Sequence, residues 1–378
     1  MIYEIEPLDQ CFFRGPTPFE AGGETTVIHS IFPPLPSTYA GALRPLIKDE
    51  DKNMRSLKVG WNGVLLDNEC WFPMPEDLYI SSQGKDGLWN LERKYIRKKE
   101  MSNYPLDYMM TISHKDNHKP VKKITPYIRE EELREYLGAK PESFAGVDIN
   151  EKLLIENRIG IQIDPKSRVS KEQHIYTTMC VRPVGGMKLA VDIQGDLLNS
   201  NAVVRFGGEG KLARFSMSAH ELNIEPAPGN TRYFKLYLAT PAIFRNGWIP
   251  GWLNQESFTG SFRFRNKAVC VKLMCACVGR AVPCGGFSYV INTEKRERIN
   301  KPRELRFAVP GGSVYYFKLL QGTYEDAVKL FHQKCISDYR EGLGFDYQVF
   351  NRTRYCDRGF GYSLVGRLSR EQEGLLHV

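Results

Sequence analysis

Two glycine-rich stretches flanked by arginine and lysine contain the residues of this sequence best suited to chemistry. The first runs Arg-Phe-Gly-Gly-Glu-Gly-Lys from residue 205, and the second begins Arg-Gly-Phe-Gly-Tyr at residue 358. Glycine lets backbone amides approach an anion closely, and a flanking cation neutralises it. We therefore predict two loops that hold a phosphate backbone. Their residues are Arg205, Gly207, Gly208, Lys211, Arg214, Arg358, Gly359, Phe360, Gly361 and Tyr362.

The second stretch differs from the common nucleotide-binding motifs. Leu364 stands where a dinucleotide fingerprint needs glycine, and Arg367-Leu368 stands where a Walker loop needs Lys-Ser or Lys-Thr. The stretch does resemble the start of the RNA-recognition signature, whose aromatic residues stack on bases. Stacking by Phe360 or Tyr362 would contribute ~1–3 kcal/mol. For both glycine stretches, the alternative is an ordinary turn between two strands.

A polar loop between two apolar segments predicts a hairpin over residues 158–181. The apolar segments are Ile159–Ile163 and Ile175–Val181, and Lys166 and Arg168 lie between them. In the functional interpretation, this hairpin protrudes and wedges between nucleotides. In the alternative, the loop is a solvated hairpin tip without a ligand.

The sequence offers little for catalysis or metal binding. His29 lies in the first loop, where a general base for RNA cleavage would sit, but no partner for it is visible. Cys270, Cys275, Cys277 and Cys284 lack the spacing of paired zinc ligands and are better explained as buried apolar residues. We therefore predict no catalytic residue, no metal ligand and no cofactor.

Trp248 and Trp252 enclose a rigid Ile-Pro-Gly segment. Core packing is one interpretation of this aromatic pair. A surface that binds a protein partner is the other, and it makes both tryptophans candidate partner-binding residues.

Composition and charge indicate a globular protein. The 378 residues include 52 Lys and Arg and 44 Asp and Glu, a net charge of +8 that permits an anionic partner without requiring one. Apolar residues make up 42% of the chain, an ordinary globular value. Nine cysteines, an odd number in a chain large enough to form its own core, favour free thiols. We expect a cytoplasmic protein without a secretory leader or membrane span.

The elements that must position these residues begin with a strand and a helix. Ile2–Glu6 alternates apolar and acidic residues and predicts a strand. A loop rich in glycine and proline follows over 14–36. A helix is then predicted from Ser37 to Lys48, with Ser37 at its N-cap.

The next stretch divides into short strands and a polar segment. Strands are predicted at 57–59 and 64–66, around a turn at Asn62-Gly63. Residues 81–125 predict a polar surface insertion, and the basic run 93–99 lies within it.

Strand patterns dominate the rest, with two helices. One helix is Glu130–Leu137, ended by Gly138, and the other follows Thr323, with Asp326 completing a capping box. Strands are predicted at 159–163, 175–181, 187–193, 202–206, 212–217, 233–238, 268–278, 288–291, 305–309 and 314–319. Many strands with few helices predict an α+β fold with antiparallel sheets.

Several stretches, in order along the chain, resemble one protein family. They are Pro7-Leu8-Asp9 with Phe12-Phe13-Arg14, Ser30–Thr38 leading into Ala40–Arg44, Arg158–Ile161 with Asp164, Gly207–Gly210, Val278–Pro283, Arg306–Tyr315 and the terminal Gly-Phe-Gly. This set resembles the third-subunit family of the Cmr complex, the type III-B CRISPR RNA-guided effector, within the RAMP superfamily. The sequence departs from that pattern at Pro165–Arg168 and at Cys284–Phe287.

The resemblance implies two ferredoxin-like (RRM-like) domains with antiparallel sheets. The first would span residues 1–195, with the insertion near 81–125 and the hairpin over 158–181. The second would span residues 196–378 and carry the terminal glycine-rich loop.

The resemblance further implies a non-catalytic subunit in defence against foreign nucleic acid. It would grip the 5′ repeat-derived handle of the CRISPR RNA and dock the large polymerase-like Cas subunit and a backbone RAMP subunit. Its RNA-binding residues would include Arg14, His29, Ser30, Arg158 and Arg168. Two alternatives stay open: a metal-independent RNA endonuclease with His29 as base, and a structural adaptor with little RNA contact.

Overall fold

The structure, a computed structural model, describes most of the chain. The described residues are 1–16, 27–48, 57–84, 87–100, 102–112, 124–140, 143–164, 166–195, 197–264, 266–292, 297–302, 304–337 and 355–377. Helices in these ranges are α1 (Pro36–Leu43), α2 (Glu130–Leu137), α3 (Tyr324–Phe331) and α4 (Arg370–His377). The remaining regular structure is almost all strand.

The strands of the first part of the chain are β1 (Ile2–Pro7), β2 (Val27–His29), β3 (Lys58–Leu66), β4 (Glu69–Pro73), β5 (Leu78–Gln83), β6 (Trp89–Arg93), β7 (Tyr95–Lys98), β8 (Tyr108–Thr111), β9 (Pro126–Arg129), β10 (Ser143–Asp148), β11 (Leu153–Ile163), β12 (Ser170–Pro183), β13 (Lys188–Gln194), β14 (Asn201–Arg205) and β15 (Leu212–Met217). Those of the second part are β16 (Tyr233–Leu238), β17 (Thr259–Phe264), β18 (Lys267–Cys277), β19 (Val282–Cys284), β20 (Phe287–Asn292), β21 (Glu297–Pro302), β22 (Arg306–Ala308), β23 (Val314–Gln321), β24 (Lys334–Cys335) and β25 (Tyr362–Gly366).

Two large sheets organise these strands. The first has ten strands in the order β14-β15-β1-β13-β3-β4-β9-β10-β6-β5, and the second has six in the order β17-β18-β23-β16-β25-β24. The predicted sheet-rich α+β class is confirmed, while the two ferredoxin-like domains stay a prediction. β14 and β15 follow residue 195 but pair within the first sheet through β1. The predicted division at that residue also stays a prediction.

The core lies on the inner faces of both sheets and between them. α1 places Tyr39 and Leu43 against the first sheet, where both are fully buried. α2 contributes Tyr136 to a cluster that joins the two sheets. Phe234 and Phe331 stack at 6.1 Å where α3 covers the second sheet. The aromatic strand residues therefore supply much of the apolar burial that stabilises the fold.

Residues at the helix ends correctly predicted where α3 begins and where α2 ends. Thr323 caps α3, and the reciprocal capping box with Asp326 is present. α2 ends at Gly138 as predicted. In both cases the deciding residues lie within one turn of the helix end.

The first helix is shorter than predicted and begins earlier. α1 starts at Pro36, after Leu35 at the N-cap, so Ser37 lies inside the helix and does not cap it. Proline suits the first helical turn because its φ is preset and no N–H is needed there. A 3-10 turn over Arg44–Leu46 ends the helix well before Lys48.

The predicted turn at Asn62-Gly63 is wrong. β3 is continuous and pairs with β13 from Lys58↔Gln194 to Leu65↔Lys188. The strand uses Gly63 for close packing, because a Cβ there would lie 2.8 Å from the indole of Trp61. The sheet partner therefore overrides the local turn signal.

The predicted polar insertion over 81–125 is also wrong for the residues that the structure describes there. β6 pairs with both β5 and β10 and so extends the first sheet. Trp89, Leu91, Ile96 and Tyr108 are buried. Apolar side chains at alternate positions of β6, and Ile96 of β7, are buried although the segment is polar overall. Residues 85–86, 101 and 113–123 lie outside the described residues.

Candidate nucleic-acid interface

An arm formed by β11, β12, β2 and the loop between β11 and β12 carries several of the predicted RNA-binding residues. β11 and β12 pair from Leu153↔Pro183 to Ile163↔Ser170, with one irregularity between Ile161 and Ile163. The predicted hairpin over 158–181 is confirmed and is longer than expected. β2 lies parallel to β12 and completes a three-stranded sheet separate from the two large ones.

The tip of the arm is closed by an aspartate. The backbone N–H groups of Lys166 and Ser167 donate to Asp164 Oδ1 at 2.8 and 3.0 Å. The Arg168 N–H donates to the Asp164 carbonyl at 2.8 Å, and Arg168 has a φ of +56°. This Asx turn closes the hairpin. It leaves the Arg168 side chain exposed at the tip.

One face of the arm is apolar and exposed to solvent. Ile155, Ile159 and Ile161 occupy alternate positions of β11 and therefore share a face. Ile159 is 77% exposed, and Ile175, which pairs with Ile161, is also exposed. Contiguous apolar exposure of this kind marks an interaction surface.

The opposite face of the arm carries a cation and an aromatic ring. Arg158 is exposed on this face, directly opposite Thr178. Gly160 pairs with Tyr176, and a Cβ at Gly160 would lie 2.4 Å from the tyrosine ring. The glycine therefore lets the half-exposed Tyr176 ring lie across the strand. Tyr176 is not among the RNA-binding residues predicted from the sequence. Its position opposite Gly160 in the predicted hairpin was the signal that could have identified it.

The structure brings Arg14, His29 and Ser30 together beside the arm. Ser30 forms an isolated bridge with Arg14, and its Oγ accepts the Phe13 N–H at 2.9 Å. The Ser30 N–H donates to Met179 O at 3.1 Å, which fixes this segment to β12. Arg14 and His29 are both exposed. Within the described ranges, His29 forms no side-chain hydrogen bond or ion pair that would orient it as a base.

Asp9 connects the base of the arm to the first glycine stretch. Its carboxylate accepts from Arg182 at 2.9 Å and from Lys211 at 3.0 Å, and Arg158 lies at 3.7 Å. The Lys211 hydrogen bond, followed by that of the Gln10 backbone, lowers the pKa of Asp9 to about 2. Arg182 also pairs with Glu156 on β11. We call these residues the Asp9 cluster. The sequence did not predict it, because distant segments form it.

The first glycine stretch is the hairpin turn between β14 and β15, and it packs against the chain itself. Gly208 N–H donates to Phe12 O at 2.7 Å, and a Cβ at Gly207 would lie 2.7 Å from that same oxygen. Lys211 is engaged by Asp9, and Arg214 by Glu6 at 3.2 Å. Arg205 is exposed at the end of β14. RNA contact by this stretch stays a prediction, with Arg205 its most accessible cation.

The terminal glycine stretch is not an open anion-binding loop. Gly359 O accepts from Thr240 Oγ1 at 2.7 Å, and Gly361 N–H donates to Pro241 O at 2.7 Å. Phe360 and Tyr362 are 1% and 3% exposed, so neither ring offers a face to a base. The predicted base stacking by these two residues is therefore wrong. Arg358 is half-buried and forms a bridge with Val59 of β3.

Both tryptophans are partly buried and pack against the core of the second sheet. Trp252 stacks on Phe331 at 5.5 Å, and partner binding by Trp252 stays a prediction. Trp248 lines a cavity of about 470 Å³ together with Tyr104, Val278 and the exposed Phe307. Partner binding by Trp248 stays a prediction.

A comparison with models of protein families identifies the family of this chain. The family described as CRISPR-associated protein (Cas_Cmr3) matches residues 3–367. The chain therefore belongs to the Cas_Cmr3 family, which confirms the resemblance seen in the sequence. A comparison with curated proteins finds no match.

Two solved structures are similar to the chain over most of its length. One is a chain of the type III-B Cmr-β complex bound to cognate target RNA and AMPPnP, with 16% identity and a TM-score of 0.45, covering 84% of this chain and 86% of that one. The other is a chain of Cmr-β bound to cognate target RNA, with 14% identity and a TM-score of 0.47, covering 95% of each. Among the described residues, no helix has the length and apolar character to cross a membrane.

Proposed function

We propose that this chain is a non-catalytic RNA-binding subunit of a type III-B CRISPR effector, and that it grips the 5′ repeat-derived handle of the CRISPR RNA. The observation that carries the proposal is the arm, with its exposed isoleucine face and the cations near its tip and edge. Membership of the Cas_Cmr3 family supplies the CRISPR context.

The arm and the adjacent Arg14 bind single-stranded RNA by three kinds of contact. Arg14, Arg158 and Arg168 neutralise phosphates, while Tyr176 stacks on a splayed base, which contributes ~1–3 kcal/mol. The isoleucine face separates neighbouring nucleotides by inserting apolar side chains between their bases. The Asp9 cluster holds Arg158 and the base of the arm in place, so less conformational entropy is lost when RNA binds.

The large polymerase-like subunit would dock on a surface other than the arm. The cavity beside Trp248 and the exposed Phe307 would accept an apolar side chain of the large polymerase-like subunit. Binding of a backbone RAMP subunit is proposed on the family resemblance alone.

The test uses purified full-length chain and end-labelled CRISPR RNA with an intact or scrambled handle, in EDTA, across a salt series. Handle-dependent binding without cleavage supports the proposal. Arg168→Ala is expected to weaken binding and lower the salt slope by about 0.7, the value for one phosphate of a single strand. Tyr176→Leu is expected to weaken binding about 5- to 160-fold at an unchanged slope.

Matched controls separate these contacts from general effects. Tyr95→Leu removes an exposed tyrosine from β7, and Lys329→Ala removes an exposed cation from α3. Neither variant is expected to change affinity. If the two arm variants bind like wild type, the arm is not the interface. Site-specific cleavage lost in His29→Ala would establish the endonuclease instead, and protein binding without handle preference would establish the adaptor.

A further inference from the structure

Three potential metal ligands of different chemical types meet away from the arm. Cys70 lies on β4, Glu130 is the first residue of α2, and His220 follows β15. The thiol sulfur, one carboxylate oxygen and one imidazole nitrogen all lie within 4.8 Å of one another. His220 Nε2 is 2.9 Å from Glu130 Oε2. Residues from three separate segments therefore converge on one point.

The surroundings hold these ligands in position. Glu130 Oε1 accepts the Asn223 N–H at 3.0 Å and lies 3.6 Å from Arg134, leaving Oε2 directed at the histidine. The backbone N–H of His220 donates to Ser218 Oγ at 3.1 Å and fixes the chain at this residue. Cys70 is fixed by strand pairing with Leu65 and has no solvent exposure. Such outer hydrogen bonds orient first ligands in metalloproteins.

We propose that Cys70, Glu130 and His220 bind one Zn²⁺ ion. Zinc takes thiolate, imidazole and carboxylate ligands at about 2.0–2.3 Å, so tetrahedral ligand atoms lie roughly 3.3–3.6 Å apart. The His220 Nε2–Glu130 Oε2 distance of 2.9 Å lies close to that range, and the sulfur lies within 4.8 Å of the other two ligand atoms. A thiolate favours zinc over magnesium or calcium, which prefer oxygen ligands alone.

Charge and access also suit a divalent cation. A thiolate and a carboxylate together neutralise the two positive charges of the ion, so no net charge is buried with it. The His220 side chain is 24% exposed, while that of Glu130 is only 8% exposed. The histidine therefore forms the solvent side of the site, where a water molecule completes the four ligands.

The consequence of this site is structural. It joins β4, α2 and the segment between β15 and β16, which also meet through the Glu130 hydrogen bonds and a shared apolar cluster. The proposal is independent of RNA binding, because these residues lie outside the arm. The alternative is that Glu130 and His220 form a hydrogen-bonded pair without metal.

Zinc content and a cobalt spectrum test the site on the full-length chain. Protein purified without chelator is expected to contain about one zinc per chain by plasma mass spectrometry. Cobalt substitution is expected to give the near-ultraviolet thiolate-to-cobalt charge-transfer band. His220→Gln and Cys70→Ser are expected to reduce zinc retention about tenfold or more, and Cys70→Ser to remove the band. The matched control Cys277→Ser changes a partly buried cysteine of β18 and keeps both signals.

Folding is monitored separately, by circular dichroism in EDTA, because Cys70 is buried. His220→Gln changes a partly exposed side chain and keeps the proposal testable if Cys70→Ser does not fold. A wild-type chain that neither retains zinc nor gives the cobalt band overturns the proposal. Equal zinc retention in wild type and a folded His220→Gln variant overturns it as well.

Discussion

At the residue scale, Asp9 shows how one carboxylate organises the base of the arm. It receives Lys211 and Arg182, and these contacts hold its pKa at about 2, below the ordinary 3.8. A lowered pKa means that the folded state binds fewer protons than the unfolded state. The stabilising effect is therefore present above pH 3.8 and is lost as the pH falls towards 2.

Asp9→Asn is expected to remove this pH-dependent stability. The midpoint of urea unfolding should fall in the variant at neutral pH, and the difference from wild type should shrink between about pH 4 and 2. The effect should be modest, because Asp9 is 45% exposed and solvent screens its charge. Glu6→Gln is the matched control, since Glu6 pairs with the exposed Arg214 outside the cluster. A constant difference at every pH would contradict this role.

Lys235 is the second residue with a defined electrostatic role. It is fully buried on β16, and its Nζ donates to Tyr136 O at 2.8 Å and lies 3.4 Å from the centre of that ring. Burial, followed by repulsion from Arg93, lowers its pKa well below 10.5. The unfolded chain therefore binds the extra proton, and this residue makes stability rise as the pH increases towards 10.5.

Lys235→Met is expected to flatten that rise below pH 10.5, because it keeps the apolar stem and removes the titrating amine. Lys235→Ala should instead cost about 2–5 kcal/mol by leaving a cavity. Chemical denaturation over the pH series measures both. A Lys235→Met variant with the wild-type pH slope would show that the amine does not control it. The exposed Lys329 on α3, changed to Met, supplies the control.

At the element scale, the sequence predicts an element correctly when the contacts that determine it lie close together along the chain. The ends of α2 and α3 were predictable, because capping residues act within one turn. The continuity of β3 was not, because pairing with β13 overrides the Asn62-Gly63 signal. The hairpin of the arm was predictable from two apolar segments around a polar loop. The Asp9 cluster was not, because its members are up to 202 residues apart.

The terminal glycine stretch, as an element, packs inside the fold, and we expect its glycines to stabilise the protein. Gly361 has a φ of +77°, and a Cβ there would lie 2.9 Å from Ser337 N. Gly361→Ala is therefore expected to cost about 1–3 kcal/mol of unfolding free energy. The salt dependence of RNA binding should stay unchanged. Gly374→Ala in α4, where a Cβ meets nothing within 4 Å, is the matched control and should be neutral or slightly stabilising. Unchanged stability with a reduced salt slope would favour the anion-binding interpretation.

At the scale of the whole molecule, buried polar contacts join the two large sheets. Asp77 accepts hydrogen bonds from Tyr136 of α2 at 2.8 Å and from Tyr316 of β23. Tyr237 of β16 donates to Pro73 O of β4 at 2.6 Å. The three tyrosines belong to the apolar cluster shared by both sheets. Separating the sheets would leave them in contact with water and expose the apolar residues around them.

The chain should therefore unfold in one cooperative transition, even though its length suggests two or three domains. Calorimetry is expected to give equal calorimetric and van't Hoff enthalpies for the wild-type chain. Asp77→Ala leaves two buried tyrosine hydroxyls without their acceptor and should cost about 2–6 kcal/mol. If the sheets depend on each other, both will melt earlier in this variant and still melt together. Two separated transitions in the wild type would instead show that each sheet folds alone, and would favour the division predicted near residue 195.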